Sequence, residues 1–352
     1  MTRTLTYTSY SDPEFLERER ANLLDESWQY VGNLTDLPTP SSSFPTEVNR
    51  LPVVATRTEG EVNVLVNVCA HRGTIVCETP STRDTLVCPY HAWKYDLSGR
   101  LLTAPRSERE PDFEVSQHHL ETLPVGLWGP FIFTATSTDA RPFDEWIADL
   151  PDQVKATGID VESLQFHSRV TSDLNANWKV CVENFLECYH CRVAHPGFAK
   201  TIDTSPEEYH LLTAPTYSTQ LGPVRERWTG SFDPRGEIER GQFHLMLPNT
   251  VINILPGQPN LSIGPITPTG PATTHRSLDY FFGPEVPETW IEEMLAFDNQ
   301  VGVEDTRLVE MLQKGLSARP RRRGTLFMDS EQLIAHFEDH LRDALGLRDL
   351  PL

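Results

Sequence analysis

Long apolar runs, basic residues and cysteine are all scarce in this chain of 352 residues. No stretch of about 18 apolar residues occurs, so a membrane-spanning helix is not expected. The 30 Lys and Arg residues face 50 Asp and Glu residues, and the formal charge of -20 argues against nucleic acid or an anionic membrane surface as a partner. The first residues lack the apolar core of a secretion signal, so we expect a cytoplasmic protein.

The sequence also gives no sign of a disulfide framework or of a glycine-rich nucleotide-binding motif. Of the six cysteines, three crowd one predicted helix at Cys181, Cys188 and Cys191, so a disulfide framework is not expected. The chain has neither a GxGxxG run nor a P-loop, and it therefore lacks a motif that would bind a dinucleotide. Electrons from NAD(P)H would have to arrive through a separate protein.

Two short runs offer thiol and imidazole ligands in a fixed pattern. Cys69-Ala-His71 and Cys88-Pro-Tyr-His91 each follow a β-prone stretch, so both are expected at loop tips. Two Cys and two His satisfy a structural zinc ion. One Cys and one His from each loop is also the ligand pattern of a Rieske [2Fe-2S] centre, in which the cysteines hold one iron and the histidines the other. Spacing alone fits both kinds of site.

A second group of metal ligands, Glu187-Cys-Tyr-His190 followed by His195, lies further along the chain. Two histidines and one carboxylate on one face of Fe(II) leave the opposite positions open for dioxygen. Histidines five residues apart do not align on a straight α-helix. We therefore expect the helical pattern over 175–191 to unwind or bulge between His190 and His195, with Pro196 helping to end it.

The third ligand is expected from a long helix predicted over 287–316. Asp305 lies on the apolar face of this helix, where a carboxylate needs a strong partner. Asp298 shares the same stripe and is the competing candidate. Glu304 is expected to face solvent.

Four segments carry a resemblance to one known family. CAHRG at 69–73 and CPYHAWKYDLSG at 88–99 resemble the signature of Rieske-type non-haem iron oxygenases. ENFLECYHCRVAHP at 183–196 and VEDTRLVEMLQKGL at 303–316 resemble the iron-binding segments of the catalytic domain in that family. The resemblance implies a Rieske [2Fe-2S] cluster and a mononuclear Fe(II). The implied cluster ligands are Cys69, His71, Cys88 and His91, and the implied ligands of Fe(II) are His190, His195 and Asp305.

Glu187 and Asn184 acquire roles from the same resemblance. An acidic residue at the place of Glu187 connects the iron site of one subunit to a cluster histidine of its neighbour in a head-to-tail homotrimer. Most relatives carry Asp there, and the Glu of this chain is most similar to oxygenases acting on quaternary ammonium compounds such as carnitine or glycine betaine. Asn184 resembles a position near the iron. A solvent-facing Glu187 paired with Lys or Arg is the alternative.

The reaction implied by the resemblance is that of a terminal oxygenase component. Such a protein takes electrons from a separate NAD(P)H-dependent flavin and iron-sulfur reductase and uses O2 to hydroxylate a C–H bond of a small molecule. The expected bond belongs to an N-methyl group of a quaternary ammonium or betaine compound, giving oxidative N-demethylation or cleavage. Two alternatives are an aromatic or secondary-metabolite substrate, and a Rieske electron carrier without oxygenase activity.

The expected fold is α+β with two domains. A β-rich Rieske domain is predicted over 43–152, and a helix-grip catalytic domain over 1–42 and 153–352, with an antiparallel sheet and a long C-terminal helix. The first helix should begin with a capping box from Ser11 to Glu14, and the last should be capped by Asp329. Strands of the sheet are predicted at roughly 208–220, 242–254, 259–267 and 273–282.

Overall fold

The computed structural model describes residues 2–319 and 321–347, and the chain forms two compact units. The smaller is Asp25–Trp146, and the larger combines Met1–Leu24 with Ile147–Leu352. Within the described part of the chain, no helix has both the length and the apolar character needed to cross a membrane.

The smaller unit contains three antiparallel sheets. The four-stranded sheet has the order Ser42–Val48, Leu51–Arg57, Val62–Val66 and Thr122–Leu123. The first three-stranded sheet has the order Val125–Trp128, Phe131–Thr134 and Gln29–Asn33. The second has the order Thr85–Val87, Lys94–Asp96 and Leu101–Thr103. Short helices are Leu34–Asp36, Ser107–Arg109, Val115–Gln117 and Phe143–Ile147.

This unit begins before the predicted limit of 43–152. Strand Gln29–Asn33 pairs with Phe131–Thr134, so backbone hydrogen bonds attach it to the smaller unit. At the other end, helix Leu150–Ala156 already belongs to the larger unit. The boundary at residue 43 was predicted from composition. Strand pairing, rather than composition, decides where the compact unit starts.

The larger unit is built on a seven-stranded antiparallel sheet. Its order is Gln165–Leu174, Thr273–Phe282, Asn260–Gly270, Thr250–Ile254, Arg240–Met246, Tyr217–Pro223 and His210–Thr213. The stretches 208–220 and 242–254, each predicted as one strand, are hairpins interrupted by turns at Pro215 and Pro248. Gln165–Leu174 was missed because this edge strand is mostly polar and carries no apolar alternation.

Helices and one further strand pair complete the larger unit. The helices are Tyr7–Tyr10, Pro13–Glu19 continued by a π turn at Arg20–Leu24, Leu150–Ala156, Val161–Ser163, Trp178–Phe185, Cys191–Ala194, Pro196–Thr201, Glu288–Ala318 and Gln332–Ala344. Thr2–Thr6 pairs with Arg323–Leu326. The long helix Glu288–Ala318 confirms the prediction over 287–316.

Both predicted helix caps were misplaced. Asp12, not Ser11, precedes the first helix, where its carboxylate accepts a hydrogen bond from Glu14 N at 2.9 Å and Pro13 takes the first helical position. The last helix starts at Gln332 rather than at Asp329, because the chain turns between Phe327 and Glu331 and Glu331 N donates to Phe327 O at 2.7 Å.

A buried ion pair attaches the N-terminal segment to helix Trp178–Phe185. Lys179 Nζ lies 2.7 Å from a carboxylate oxygen of Glu19, and both side chains are fully buried. Lys179 Nζ also donates to Ser9 O at 2.9 Å, and Trp178 Nε1 donates to the other Glu19 oxygen at 2.9 Å. Because each charge is enclosed, each depends on the other for compensation.

Replacing Lys179 by Met should destabilise the protein by about 3–5 kcal/mol, because Glu19 would be left as an unpaired buried charge. The double variant Lys179→Met/Glu19→Gln should recover much of this loss, since both charges are then gone. Urea denaturation followed by circular dichroism measures the two changes.

The control is Arg235→Gln, which breaks the exposed pair between Arg235 and Asp233 and should leave the urea midpoint unchanged. A Lys179→Met protein as stable as the unmodified chain would show that the buried pair does not hold the N-terminal segment in place.

Candidate metal centres

The segment that carries His190 and His195 is broken in two places. Helix Trp178–Phe185 begins after Asn177, whose side chain accepts a hydrogen bond from Lys179 N at 3.0 Å, and it ends at Leu186. A turn then leads to His190, and the short helix Cys191–Ala194 leads to His195. The predicted break between the histidines is therefore wrong in position: the chain leaves helical geometry before His190 and again at His195.

Pro196 begins a helix rather than ending one. It is the first residue of Pro196–Thr201, where a residue without an N–H group loses no hydrogen bond. His195, just before it, has φ -120° and ψ 70°, as the restriction on a residue preceding proline favours a non-helical backbone.

Three side chains converge on one point beside this segment. His195 Nε2 lies 3.1 Å from His190 Nε2 and 2.9 Å from Asp305 Oδ1, while His190 Nε2 lies 3.6 Å from the same oxygen. One ligand atom from each residue lies within 4.8 Å of the other two. Two imidazole nitrogens and one carboxylate at this separation suit the facial triad of non-haem Fe(II).

The outer nitrogen of each imidazole contacts a second carboxylate. Glu187 Oε1 forms a short hydrogen bond with His190 Nδ1, and Glu304 Oε2 lies 2.8 Å from His195 Nδ1. Such contacts fix the ring orientation and direct Nε2 toward the metal. Glu304 was wrongly expected in solvent: its longer side chain bends back to His195 although its neighbour Asp305 occupies the inner face.

Glu187 pairs with a histidine rather than with Lys or Arg. Its carboxylate also accepts from His190 N at 3.2 Å, so the contact arises in the turn after Leu186 and not on a helix face. The helical geometry predicted over 175–191 is absent at this contact.

Asn184 and Asp298 differ in their relation to the three converging residues. Asn184 Nδ2 donates to Asp305 Oδ1 at 2.8 Å, which supports the carboxylate. Asp298 instead accepts from the Tyr280 hydroxyl at 2.5 Å, and burial raises its pKa. Asp305, and not Asp298, therefore contacts both imidazoles.

The charges of the metal-free triad reinforce this contact. Burial lowers the pKa of His190, but its hydrogen bonds to Asp305 and Glu187 prevail and raise the pKa to about 9. Burial raises the pKa of Asp305, but hydrogen bonds from His190 and His195 hold it well below the usual range. A metal ion that binds here replaces a proton on the imidazole, so metal binding is coupled to proton release.

A cavity of about 130 Å³ lies beside the triad. One wall consists of Phe198, Phe243 and Phe297, with centroid distances of 5.6 Å from Phe198 to Phe243 and 6.3 Å from Phe198 to Phe297. Further lining residues are Phe185, Tyr209, Gln220, Asn253, Arg276 and Gly302. An apolar cavity with a few polar groups is typical of a small-molecule site.

The two Cys–His loops of the smaller unit separate thiols from imidazoles. Cys69 and Cys88 are buried, whereas His71 and His91 are exposed, with ring centroids 4.7 Å apart. Paired thiols inside and paired imidazoles outside fit a Rieske cluster, in which each pair holds one iron.

Tyr95 contacts a predicted cluster cysteine, although the sequence patterns do not single it out. Its hydroxyl lies 3.2 Å from Cys69 Sγ and accepts from Ala70 N at 3.1 Å. The only signal in the sequence was its place within CPYHAWKYDLSG, next to the predicted turn. In this position the Tyr95 hydroxyl can donate to a cluster-bound thiolate.

One cysteine prediction was wrong. Cys188 and Cys191 form a disulfide, with their Cα atoms 4.9 Å apart, on either side of His190. The two residues were expected on one continuous helix, but the turn after Leu186 brings them together. Cys181 is a free thiol.

Comparison with known proteins agrees with both centres. The model of the ring hydroxylating alpha subunit (catalytic domain) matches residues 161–347, and that of the Rieske [2Fe-2S] domain matches residues 27–124. The carnitine monooxygenase oxygenase subunit of Acinetobacter pittii is 28% identical over 94% of this chain and 91% of its own. Choline monooxygenase of Amaranthus tricolor is 28% identical over 96% of this chain and 77% of its own.

Solved structures give the same result. A quaternary ammonium Rieske monooxygenase in complex with L-carnitine superposes with a TM-score of 0.84 at 26% identity, covering 97% of this chain and 96% of the other. Naphthalene 1,2-dioxygenase from a Rhodococcus species, at 16% identity and a TM-score of 0.82, shares the fold.

The fold and the two centres define a Rieske-type non-haem iron oxygenase, and the predicted α+β class is confirmed. Its cofactors are a Rieske [2Fe-2S] cluster and a mononuclear iron. The chain belongs to the ring-hydroxylating alpha-subunit family, whose catalytic-domain model spans more than half of it.

Replacing Tyr95 by Phe should lower the reduction potential of the cluster by roughly 40 mV, the equivalent of about 1 kcal/mol for a one-electron couple. The reason is that a hydrogen bond to Cys69 stabilises the more negative, reduced cluster. A redox titration followed by electron paramagnetic resonance measures the shift.

Tyr90→Phe provides the matched control, because the Tyr90 hydroxyl lies 3.4 Å from Arg72 and is exposed. Equal potentials for the Tyr95→Phe and unmodified proteins would mean that the hydroxyl does not donate to Cys69.

Proposed function

We propose that this chain is the terminal oxygenase component of a monooxygenase for quaternary ammonium compounds. With O2 and electrons from a separate reductase, it hydroxylates an N-methyl or adjacent C–H bond, which leads to oxidative N-demethylation or cleavage. The observation that carries the proposal is the convergence of His190, His195 and Asp305 beside a cavity lined with aromatic rings. Relatives named for carnitine and choline support the substrate class.

The four cluster ligands would be Cys69 and Cys88 on one iron and His71 and His91 on the other. Fe(II) would be held by His190, His195 and Asp305, and it would supply the reduction of dioxygen. Glu187 and Glu304 would orient the two imidazoles, while Asn184 would keep the Asp305 carboxylate in place. An electron carrier would need none of these six residues of the triad and its surroundings.

Glu187 would also connect the two kinds of centre between subunits. A related quaternary ammonium Rieske monooxygenase transfers electrons between its subunits. In this chain, the exposed imidazoles of His71 and His91 are accessible to a neighbouring copy, and Glu187 contacts His190. We propose a homotrimer in which Glu187 receives electrons from a cluster histidine of the neighbour.

The remaining partner would be a cytoplasmic NAD(P)H-dependent flavin and iron-sulfur reductase. This chain lacks a dinucleotide-binding motif, so electrons must be delivered one at a time through the cluster. The ammonium group of the substrate would rest against the rings of Phe198, Phe243 and Phe297, where each cation–π contact contributes about 0.5–2 kcal/mol.

Phe243 lines the cavity, whereas three other aromatic residues of the larger unit have different contacts. Tyr280 lines a smaller cavity with Asp298, the Tyr217 hydroxyl donates to Asp149, and the Trp228 ring stacks with Arg235. The cation-binding wall is therefore formed mainly by phenylalanines of two helices and one strand.

The function is tested with quaternary ammonium compounds, supplied with O2, NADH and a surrogate reductase, by measuring formaldehyde, which demethylation releases, and trimethylamine, which cleavage releases. The unmodified protein should demethylate or cleave at least one compound, and His190→Ala should abolish the reaction because the triad loses a ligand. Release of hydroxylated product from aromatic compounds alone would replace the ammonium assignment with an aromatic one.

Iron analysis separates an oxygenase from an electron carrier. His190→Ala should lose one iron per chain and keep the cluster irons and their visible absorption. His275→Ala, which removes an exposed histidine paired with Asp173, should lose none. Unchanged iron in His190→Ala would rule out the triad as the iron site.

Glu187→Gln and Glu304→Gln form a matched pair. Each should weaken iron binding by about 10- to 100-fold, because each removes a carboxylate from an imidazole. After both variants are saturated with iron, only Glu187→Gln should still be slow in a single turnover started from reduced cluster. Equal rates in the two iron-loaded variants would exclude electron transfer through Glu187.

A further inference from the structure

Arg276 is the one basic side chain among the described lining residues of the cavity, apart from the two histidines of the triad. It lies on strand Thr273–Phe282. Because every second side chain of a strand points to the same face, Arg276 shares its face with Leu278 and Tyr280, which belong to the hydrophobic core. A Cβ atom on Gly302 would stand 3.1 Å from Arg276 Nη2, so the guanidinium packs against the long helix at a glycine.

The backbone of Arg276 pairs with both neighbouring strands, but no described residue forms a hydrogen bond or ion pair with its guanidinium, unlike the other polar groups around it. Asn184 donates to Asp305, Gln220 donates to Phe185 O, and Asn253 donates to the Ser262 hydroxyl. Asp298 accepts from the Tyr280 hydroxyl, and Arg276 lowers the pKa of this carboxyl by its charge without a direct hydrogen bond or ion pair. A half-buried guanidinium with its donors free is costly until an anion binds it, and carboxylate is its best geometric match.

We propose that Arg276 binds a carboxylate of the substrate, so that the enzyme acts on zwitterionic betaines in preference to purely cationic ammonium compounds. This inference rests on the proposed function, and it deepens it by naming the second charged group of the substrate. Arg276 is then a specificity-determining residue: it attracts the acid of a betaine and repels a cation that brings no negative charge.

The position of Arg276 also limits the length of the substrate. Gly302, which the guanidinium contacts, precedes Asp305 by three residues, or about 4.5 Å along the helix axis. The carboxylate and the reacting methyl group must therefore be close, as in a betaine with a short carbon chain. The ammonium group, which lies between the carboxylate and the reacting methyl group, packs against the phenylalanine wall of the cavity.

Glycine betaine and choline provide a matched test, because both carry a trimethylammonium group, while glycine betaine has a carboxylate where choline has a hydroxymethyl group. The unmodified protein should have the higher kcat/KM for glycine betaine. Arg276→Gln should lower that value on the order of 10- to 100-fold, the effect of a lost charge-assisted contact, and leave choline unchanged or improved. Arg276→Lys should have an intermediate kcat/KM for glycine betaine, because lysine keeps the positive charge but cannot donate two parallel hydrogen bonds to a carboxylate.

Binding gives a measurement that does not depend on turnover. Isothermal titration calorimetry without oxygen should show the same loss of affinity for glycine betaine in Arg276→Gln. Arg235→Gln, which changes an exposed residue outside the cavity lining, should bind as the unmodified protein does. Thermal unfolding of each variant checks that the fold is intact.

Three outcomes would overturn the inference. A preference for choline in the unmodified protein would refute it and leave the ammonium function standing. An equal loss for both compounds in Arg276→Gln would make the residue structural. A lack of both formaldehyde and trimethylamine from every ammonium compound would overturn the proposed function, and the inference with it.

Discussion

The contact of Asp305 with both His190 and His195 is the constraint on which the rest of the larger unit depends. Asp305 and His195 are 110 residues apart in sequence, so the long helix must dock in one register. Two side chains of that helix fix it: Gln313 accepts from Asn177 N at 2.9 Å, and Glu310 accepts from Asn175 N at 3.1 Å. Hydrogen bonds at the start of the ligand-bearing segment thus set where the carboxylate arrives.

The broken backbone after Leu186 is what lets two histidines five residues apart share one point. A continuous helix would direct them to different sides. The break releases backbone groups, and Gln220 Nε2 donates to Phe185 O to satisfy one of them. The disulfide between Cys188 and Cys191 then closes the turn around His190. The sheet and the turn together therefore stabilise a conformation that local sequence preference would not choose.

The sequence predicted the three residues that converge and two of those that contact them, Glu187 and Asn184, but not the others around the two centres. His190, His195 and Asp305 could be found because ligand chemistry and helix periodicity restrict them. Glu304 could not, since its role depends on the side chain bending toward His195 rather than on its helical position. Tyr95 depends on pairing between short strands, and Arg276 depends on which face of a strand meets the cavity. Each of these requires tertiary contacts that spacing along one segment does not contain.

The two centres expose their imidazoles according to what each must admit. His71 and His91 are on the surface, which suits electrons that enter by contact with another protein. His195 is 2% exposed and borders a cavity with aromatic walls, which suits a small molecule. Within such a partly buried cavity, a charged group without a direct hydrogen-bond partner has a large effect on which ligands bind. A free guanidinium beside the triad therefore selects by charge, while the phenylalanines select by shape.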